Sequence, residues 1–395
     1  MSWRSCRIKD VASIISQKSD NLALPYIALD NIISWDGSFV PSDSASDGNS
    51  NLCAAGDVLF GKLRPYLAKG YIPNEDSLCS PEFIVLRPLA DTNNKFLLYF
   101  LLSPQYIGYI RNQVAGTKMP RTNASQVGAS DIKIPSKFEQ EAIAAYLDKE
   151  CEKIGREIEL LERKADSYRR LRRAIINQAV TRGLNPNVPM KPSGLRWVPN
   201  IPEHWNVGRV RNYFNFRNEK VSEIDSPPLS VTKNGVVPQM ENVAKSMAEG
   251  DTRKKVCKND FVVNSRSDRK GSCGTSPLDG SVSLIYIVLE PTHIDPAFAN
   301  YYFRCNDWIE EFYRNGKGIV ADLWTTNYSA MRNIEIAVPE ISEQNEIAAY
   351  LDDKCGKIDA IVEKIETKIE RLKQLKRSLI NEVVTGQRAI NTSLS

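Results

Sequence analysis

Two stretches of the sequence, PSKFEQEAIAAYLDKECEKI (residues 135–154) and PEISEQNEIAAYLDDKCGKI (residues 339–358), decide how the chain is organised. They align without a gap at a constant offset of 204 residues, and the similarity continues to the pairs Val180-Thr181 and Val384-Thr385. Self-similarity at a fixed spacing indicates a duplicated structural unit. The chain is therefore predicted to run as variable domain, repeated segment, connector, variable domain, repeated segment.

Each repeated segment carries apolar or small residues at alternating steps of four and three, which is typical of a coiled-coil seam. These positions are Leu147, Cys151, Ile154, Ile158, Leu161, Ala165 and Tyr168 in the first copy and Leu351, Cys355, Ile358, Val362, Ile365, Ile369 and Leu372 in the second. An extra three-residue step to Leu171 or Leu375 follows, which predicts local overwinding at the same level in both helices. A helix of about 40 residues is roughly 60 Å long and needs a partner for its one apolar stripe. We expect the two copies to pack antiparallel about a pseudo-two-fold axis.

The remaining sequence mixes short β-like runs, such as EFIVLRP at Glu82, with helical stretches, separated by Gly, Asn, Ser and Pro. This pattern predicts an α+β fold with two globular α/β domains separated by the two long helices. The predicted boundaries are 1–138 and 205–338 for the globular domains, 139–184 and 339–386 for the helices, 185–204 for a Pro- and Gly-rich connector, and 387–395 for a tail.

Composition sets limits on the class of protein. The chain of 395 residues is 42% apolar and 25% charged with a net charge of +4, which is ordinary for a globular protein and permits an anionic partner. No apolar run approaches the roughly 20 residues of a membrane span, so a cytoplasmic location without a membrane partner is expected. The eight cysteines are scattered singly, and the sequence lacks phosphate-loop, dinucleotide-binding and metal-ligand motifs. We predict no catalytic centre, no metal and no cofactor.

Cationic and polar loops recur at comparable positions in the two globular domains. Arg and Lys grip phosphates or read guanine edges, and Asn pairs with adenine, so these loops are candidates for nucleic-acid binding. The candidate residues are Lys62, Arg64, Tyr66, Lys69, Lys118, Arg121 and Asn123 in the first domain and Asn264, Arg266, Arg269, Lys270, Lys317 and Asn327 in the second. Any single one of them is more often an ordinary surface group, and the prediction depends on their recurrence in both halves.

The near-identical helix starts allow two interpretations. One is that they dock the same kind of partner subunit twice, through Gln140, Ile143, Tyr146 and Leu147 in the first copy and Gln344, Ile347, Tyr350 and Leu351 in the second. The other is that helix packing alone conserves the pattern. The basic residues further along each helix intermingle with glutamates and are interpreted as solvated flanks.

Taken together, these motifs resemble the specificity subunits of type I restriction-modification systems. The resemblance rests on two helices that open with P-x-x-x-E-Q-x-x-I-A-x-Y-L-D and close with I-N-x-x-V-T, and on the connector GLRWVPNIPEHW from Gly194 to Trp205. It implies two target-recognition domains that each read half of a split double-stranded DNA site, with the helices setting the spacer. It also implies two methyltransferase (M) subunits as partners, which would bind S-adenosylmethionine and methylate adenine. Two motor-nuclease (R) subunits are optional partners, which would use ATP and magnesium.

Two other classes of protein remain open from the residues alone. The first is a coiled-coil scaffold that joins two protein-binding domains without DNA recognition. The second is a self-contained nuclease or methyltransferase, for which only two histidines, His204 and His293, leave little acid-base material.

Overall fold

A computed structural model describes residues 3–19, 21–42, 44, 50–114, 119–239, 253–318 and 324–390. The first globular part contains three helices, α1 (Asn94–Leu101), α2 (Pro104–Gln113) and α3 (Ala124–Ala129). Its strands are β1 (Arg4–Arg7), β2 (Ala12–Ile15), β3 (Lys18–Ser19), β4 (Tyr26–Ile27), β5 (Ser50–Cys53), β6 (Val58–Gly61), β7 (Gly70–Tyr71), β8 (Ser77–Cys79), β9 (Phe83–Pro88) and β10 (Asp131–Ile134). They form sheets of order β2-β9-β6-β7 and β3-β5-β8-β4 and the pair β1-β10.

The long helix α4 (Lys137–Arg182) follows, and the connector after it contains no helix. Gly183 ends α4 in the left-handed conformation, where a Cβ would lie 2.9 Å from the Glu343 carboxylate. The connector forms the antiparallel pair β11 (Met190–Pro192) and β12 (Asn200–Pro202), and Leu195, Val198 and Ile201 are buried. The Pro-rich segment is therefore held by its apolar side chains as well as by strand pairing.

The second globular part follows a similar element order to the first, with one additional strand, β17. Its helices are α5 (Pro296–Tyr302), α6 (Asn306–Arg314) and α7 (Tyr328–Met331), and the long helix α8 (Ile341–Val384) follows it. Its strands are β13 (Asn206–Arg209), β14 (Phe214–Phe216), β15 (Lys220–Val221), β16 (Leu229–Thr232), β17 (Gly235–Pro238), β18 (Arg253–Val256), β19 (Phe261–Val263), β20 (Cys273–Thr275), β21 (Gly280–Ser283), β22 (Ile287–Pro291) and β23 (Glu335–Val338). The sheet β14-β22-β19-β20 and the pair β13-β23 correspond in order to β2-β9-β6-β7 and β1-β10.

Contacts divide the chain into two compact units that each include parts of both long helices. Unit 1 comprises the described residues within 1–162 and 366–395, and unit 2 those within 163–365. Each unit therefore contains one globular part, the first portion of the helix that follows it, and the last portion of the other helix. In unit 1, Leu147 of α4 and Val383 of α8 belong to one core; in unit 2, Val180 and Leu351 do the same.

The larger core of each unit lies between the helices and one face of the sheet β2-β9-β6-β7 in unit 1 or β14-β22-β19-β20 in unit 2. In unit 1, Phe60 and Leu86 of the sheet meet Phe96 of α1, and the strand run FIVLRP supplies the β-branched and aromatic residues that favour a pleated surface. Asn93 caps α1 by accepting a hydrogen bond from the Phe96 amide at 2.9 Å. In unit 2, Asp295 caps α5 in the same way, at 2.7 Å from the Phe298 amide.

The predicted three-residue step in the helix seams is wrong. Leu171 and Leu375, the residues of that step, are 47% and 54% exposed. The neighbouring Arg172 and Lys376 turn inward instead, with side chains only 32% and 12% exposed. With these two cations counted, the four-and-three spacing continues without a break from Tyr168 to Ala179 in α4 and from Leu372 to Val383 in α8.

Charge pairing explains why Arg172 and Lys376 occupy the seam, where the sequence predicted Leu171 and Leu375. Arg172 pairs with Asp359 at 2.9 Å in unit 2, and Lys376 pairs with Asp36 at 2.9 Å in unit 1. Burial opposes the ionisation of Asp36, but the Ser38 hydroxyl and the charge of Lys376 outweigh burial and lower the pKa of Asp36. Long basic side chains can bury their stems and keep the charged end paired.

No helix among the described residues combines the length and the apolar character needed to cross a bilayer.

Candidate nucleic-acid interface

In unit 1, the first candidate loop is the tip of the hairpin formed by β6 and β7. Residues 62–69 leave β6, form a 3-10 turn at Pro65–Leu67, and return as β7. Arg64 and Ala68 on either side of the turn have φ values of +49° and +47°, an uncommon conformation for residues with a side chain. The turn places Arg64 and Tyr66 on the exposed side of the hairpin tip.

A second loop, which precedes α3, is bonded to this hairpin tip through the backbone. The Arg64 amide donates to the Pro120 carbonyl at 2.8 Å, and the Thr122 amide donates to the Lys62 carbonyl at 3.0 Å. Two loops that are far apart in sequence thus form one surface, with Arg121 on it.

Unit 2 builds the same arrangement from a different sequence. Residues 264–272 form the hairpin tip between β19 and β20, with a 3-10 turn at Ser267–Arg269. The Thr326 amide, in the loop before α7, donates to the Ser265 carbonyl at 3.1 Å. The isolated bridge between Arg266 and Thr325 matches the bridge between Leu63 and Arg121 in unit 1. Each unit therefore presents a hairpin tip braced by the loop that precedes its last short helix.

The structure gives the candidates of unit 1 different environments. Lys62 and Lys69 are half-buried and donate to the carbonyls of Pro81 and Leu29, both at 2.7 Å, so they brace the loop rather than face solvent. Burial lowers the pKa of Lys62, against the opposing charge of Glu82. Arg64, Tyr66 and Arg121 are exposed, and Asn123 caps α3 through its side-chain oxygen. Lys118 lies outside the described residues.

The cationic candidates in unit 2 lie at the surface of the hairpin tip and the neighbouring loop. Arg266 and Arg269 flank Asp268 at 3.1 and 3.6 Å, and both are well exposed. Lys270 pairs with Glu310 at 2.6 Å, and Lys317 is exposed. These side chains form a cationic surface in which acidic residues hold some of the cations in place.

The two asparagines of unit 2 have local structural roles. Asn264 is buried and accepts a hydrogen bond from the Arg266 amide at 3.1 Å, which corrects its assignment as a base-reading residue. Asn327 caps α7 as Asn123 caps α3, by accepting from the Ala330 amide at 3.0 Å. Asn is favoured at such caps because its short side chain reaches an amide that the helix leaves unpaired.

Sequence reasoning missed two acidic residues of these surfaces. Glu82 pairs with Arg121 at 3.0 Å, and its other carboxylate oxygen is buried without a hydrogen-bond partner in the described part of the chain. Asp268 lies between the two arginines of the second hairpin tip. Carboxylates accept hydrogen bonds from the cytosine amino group. An acidic residue next to a cationic loop in the sequence was therefore the signal that could have identified both residues. Within the described ranges, no group of three His, Cys, Asp or Glu side chains is placed to hold a metal.

The predicted partner-docking residues at the helix starts are mostly buried, which corrects that prediction. Six of the eight are at most 2% exposed: Gln140, Ile143, Leu147, Gln344, Ile347 and Leu351. Tyr146 is half-buried, and Tyr350 is exposed with Lys354 over its ring. A partner cannot reach the buried six without unpacking the helix start.

Contacts within each unit account for the repeated helix-start motif. Gln344 accepts from the Asp295 amide at 2.8 Å and donates to the Pro339 carbonyl at 2.9 Å. Gln140 accepts from the Asn93 amide at 2.8 Å in the same way. Two further hydrogen bonds from side chains of the globular part to the helix start occur in both units. A tryptophan indole donates to a glutamate (Trp3 to Glu139, Trp205 to Glu343), and a tyrosine hydroxyl donates to an aspartate (Tyr99 to Asp148, Tyr301 to Asp352). The motif fastens each globular part to the helix that follows it.

We predict that Gln344→Ala destabilises unit 2 by about 1–3 kcal/mol, because it leaves the partly buried Asp295 amide and the buried Pro339 carbonyl unpaired. Hydrogen exchange of α5 and of the start of α8 would measure the loss of protection. Glu346→Ala, at an exposed position on the same turn, is the matched control and should leave exchange unchanged. Equal exchange in the two variants would contradict the fastening role of Gln344.

Comparisons with known proteins agree with a DNA-specificity class of protein. Residues 2–163 match the family model described as the type I restriction modification DNA specificity domain. The EcoDI specificity subunit of Escherichia coli is 24% identical over 155 residues, covering 37% of this chain and 34% of that subunit. The EcoBI specificity subunit of E. coli is 20% identical over 336 residues, covering 80% of this chain and 70% of that subunit.

Solved structures share the fold over nearly the whole chain. A chain studied for complex assembly and conformational transition of the type I R-M system is similar with a TM-score of 0.75, at 17% identity and 98% coverage of both chains. The HsdS subunit from Thermoanaerobacter tengcongensis has a TM-score of 0.51 at 18% identity, with 98% of this chain and 97% of that chain covered. The chain is thus similar to the specificity subunits of type I restriction-modification systems, through the family model over residues 2–163 and through the EcoBI subunit over 80% of its length.

Proposed function

We propose that each unit reads one half of a bipartite DNA site through its hairpin tip and the bonded neighbouring loop. The observation that carries this proposal is the recurrence of one backbone arrangement in both units with different side chains on it. Two half-sites of different sequence require the same backbone arrangement to carry different polar side chains. Arg266 and Arg269 in unit 2, and Arg64 and Arg121 in unit 1, are the proposed base-reading or phosphate-binding residues.

We further propose that α4 and α8 form an antiparallel coiled coil that sets the distance between the half-sites. Within unit 2, Arg172 of α4 pairs with Asp359 of α8, and within unit 1 Glu157 of α4 pairs with Lys368 of α8 at 2.7 Å. Since the later residue of α4 pairs with the earlier residue of α8, these pairs support an antiparallel order. Half-sites one helical turn apart, roughly 34–36 Å, fit helices of 46 and 44 residues.

The proposed partners are double-stranded DNA and two methyltransferase subunits, with motor-nuclease subunits as optional additions. The names of the similar proteins place them in type I restriction systems, and the similar order of elements in the two units suits one methyltransferase per half. In this proposal the chain is not itself an enzyme, and catalysis and cofactors belong to the partners. The exposed Tyr350 remains available for docking, unlike the buried residues beside it.

Modification-sensitive long-read sequencing tests this function directly. Cells that express the chain with its neighbouring methyltransferase are compared with cells that express the methyltransferase alone. We expect a split motif with methylated adenines only when the chain is present. If an intact methyltransferase produces no such motif, the proposal is wrong and the protein-scaffold interpretation takes its place.

A further inference from the structure

Unit 2 contains an open cleft of about 880 Å³ between the last part of α4 and the second globular part. Its walls come from α4, from the turn between β16 and β17, from the hairpin tip, from the α5 and α6 region, and from α8 through Asp359. The cations that line it are Arg169, Arg172, Arg173, Lys233, Lys270 and Arg304, against only Asp166, Glu310 and Asp359 as acids. The cleft therefore has an excess of positive charge.

One contact in the cleft holds a cation in place without neutralising it. The Arg304 guanidinium donates to the Lys233 carbonyl at 2.8 Å, which binds the turn to the segment between α5 and α6 without neutralising either cation. Arg173 and Lys233 have exposed side chains and form no ion pair within the described residues. Lys270 and Gly271 belong both to the cleft and to the hairpin tip, so the cleft continues directly from the proposed reading surface.

Unit 1 fills the corresponding place with its own side chains. The residues of α8 that correspond to Arg172 and Arg173 of α4, at the offset of 204, are Lys376 and Arg377. Lys376 pairs with Asp36 at 2.9 Å, and Arg377 lies over the Trp35 ring at 4.5 Å. Arg172 is paired with Asp359 in unit 2, so the difference between the units lies at the next position: Arg173 is exposed, whereas the Trp35 ring covers Arg377.

Loop length is the physical cause of this difference. In unit 1, Ile32 pairs with Phe39 and the six residues between them carry Trp35 and Asp36 toward α8. In unit 2, Thr232 pairs with Gly235, and only Lys233 and Asn234 form the turn. A two-residue turn is too short to reach across to α4, and it contributes a further cation instead of an acid.

We propose that this cleft binds backbone phosphates of the DNA strand that continues from the half-site of unit 2 into the spacer. The inference rests on the proposed DNA-reading function and adds to it an asymmetric, sequence-independent contact that unit 1 lacks. A groove lined by cations from four separate parts of the chain suits a polyanion that extends along it better than a single small anion. Phosphate contacts of this kind fix the position of the protein on the duplex and carry no sequence information.

The test is the salt dependence of DNA binding by the complex of the full chain with its methyltransferase. Each phosphate contact contributes about 0.9 to the slope of log affinity against log salt concentration. We expect the double variant Arg173→Gln/Lys233→Gln to reduce the slope by about 2 and to weaken target and non-target DNA alike, roughly tenfold. The recognised sequence should not change. Neutral methylphosphonate linkages beside the half-site of unit 2 should weaken the wild-type complex and not the variant.

The matched control is Lys364→Gln/Lys373→Gln, which removes the same charge from α8 at positions outside the cleft. Equal slopes in the control and the cleft variant would overturn the cleft proposal while leaving DNA recognition intact. The cleft proposal would also be overturned if the cleft variant no longer bound the methyltransferase but still bound DNA with the wild-type salt slope. That outcome would assign the cleft to a protein partner. If the wild-type complex binds no DNA with a measurable salt slope, the proposed function fails and this inference fails with it.

Discussion

Replacing Arg266 and Arg269 with alanine is expected to change the recognised sequence in one half of the DNA site and to leave the other half unaltered. Both side chains are exposed at the hairpin tip of unit 2 and share the Asp268 carboxylate. A bidentate contact from arginine to guanine contributes about 1–3 kcal/mol of discrimination. Each lost contact should therefore reduce discrimination at one base pair roughly 5- to 150-fold. Sequencing of the methylated motif in cells that express the variant measures this change.

Two controls distinguish base reading from phosphate attraction and from unfolding. Lysine at the same two positions keeps the charge but loses the planar fork of donors, so it should retain non-specific binding and still relax the same half-site. Arg64→Ala in unit 1 should relax the other half-site only. A variant of unit 2 that alters both halves, or neither, would show that these loops do not read the DNA.

Inserting one heptad into both long helices at the same level is expected to lengthen the spacer and keep both half-site sequences. Seven residues add about 10.5 Å of helix, which corresponds to about 3 base pairs at 3.4 Å each. A whole heptad preserves the four-and-three spacing of the seam through Arg172 and Lys376. We also expect slower methylation, because 3 base pairs rotate one half-site by nearly a third of a turn about the duplex axis. The methylated motif reports the spacer length directly.

The control for this insertion is seven Gly and Ser residues placed after Asn187. That position lies in the exposed start of the connector, outside both helices. The added residues lengthen the chain without changing the helix pair, so the spacer should stay as it is. Normal methylation with an unchanged spacer in the heptad variant would show that the helices do not measure the distance.

Local patterns in the sequence were enough to predict the elements that depend on local physics. The gapless repeat and the spacing of apolar residues predicted the two long helices, and the strand-like run at Glu82 became β9. Such elements follow from side-chain periodicity and from the backbone conformations that each residue favours. The cationic loops were also visible, since Gly, Pro and polar residues mark hairpin tips.

The roles of individual side chains were decided by partners far away in the sequence. Lys376 entered the seam in place of Leu375 because Asp36, more than 300 residues earlier, supplies a counter-charge. Gln140 and Gln344, which suggested a docking surface, are buried because each binds backbone groups of its own globular part. Periodicity cannot reveal such contacts, because burial and charge pairing arise only when distant segments meet. The sequence by itself therefore determined the duplicated plan and the long helices, and the tertiary structure decided which cations remain available to bind DNA.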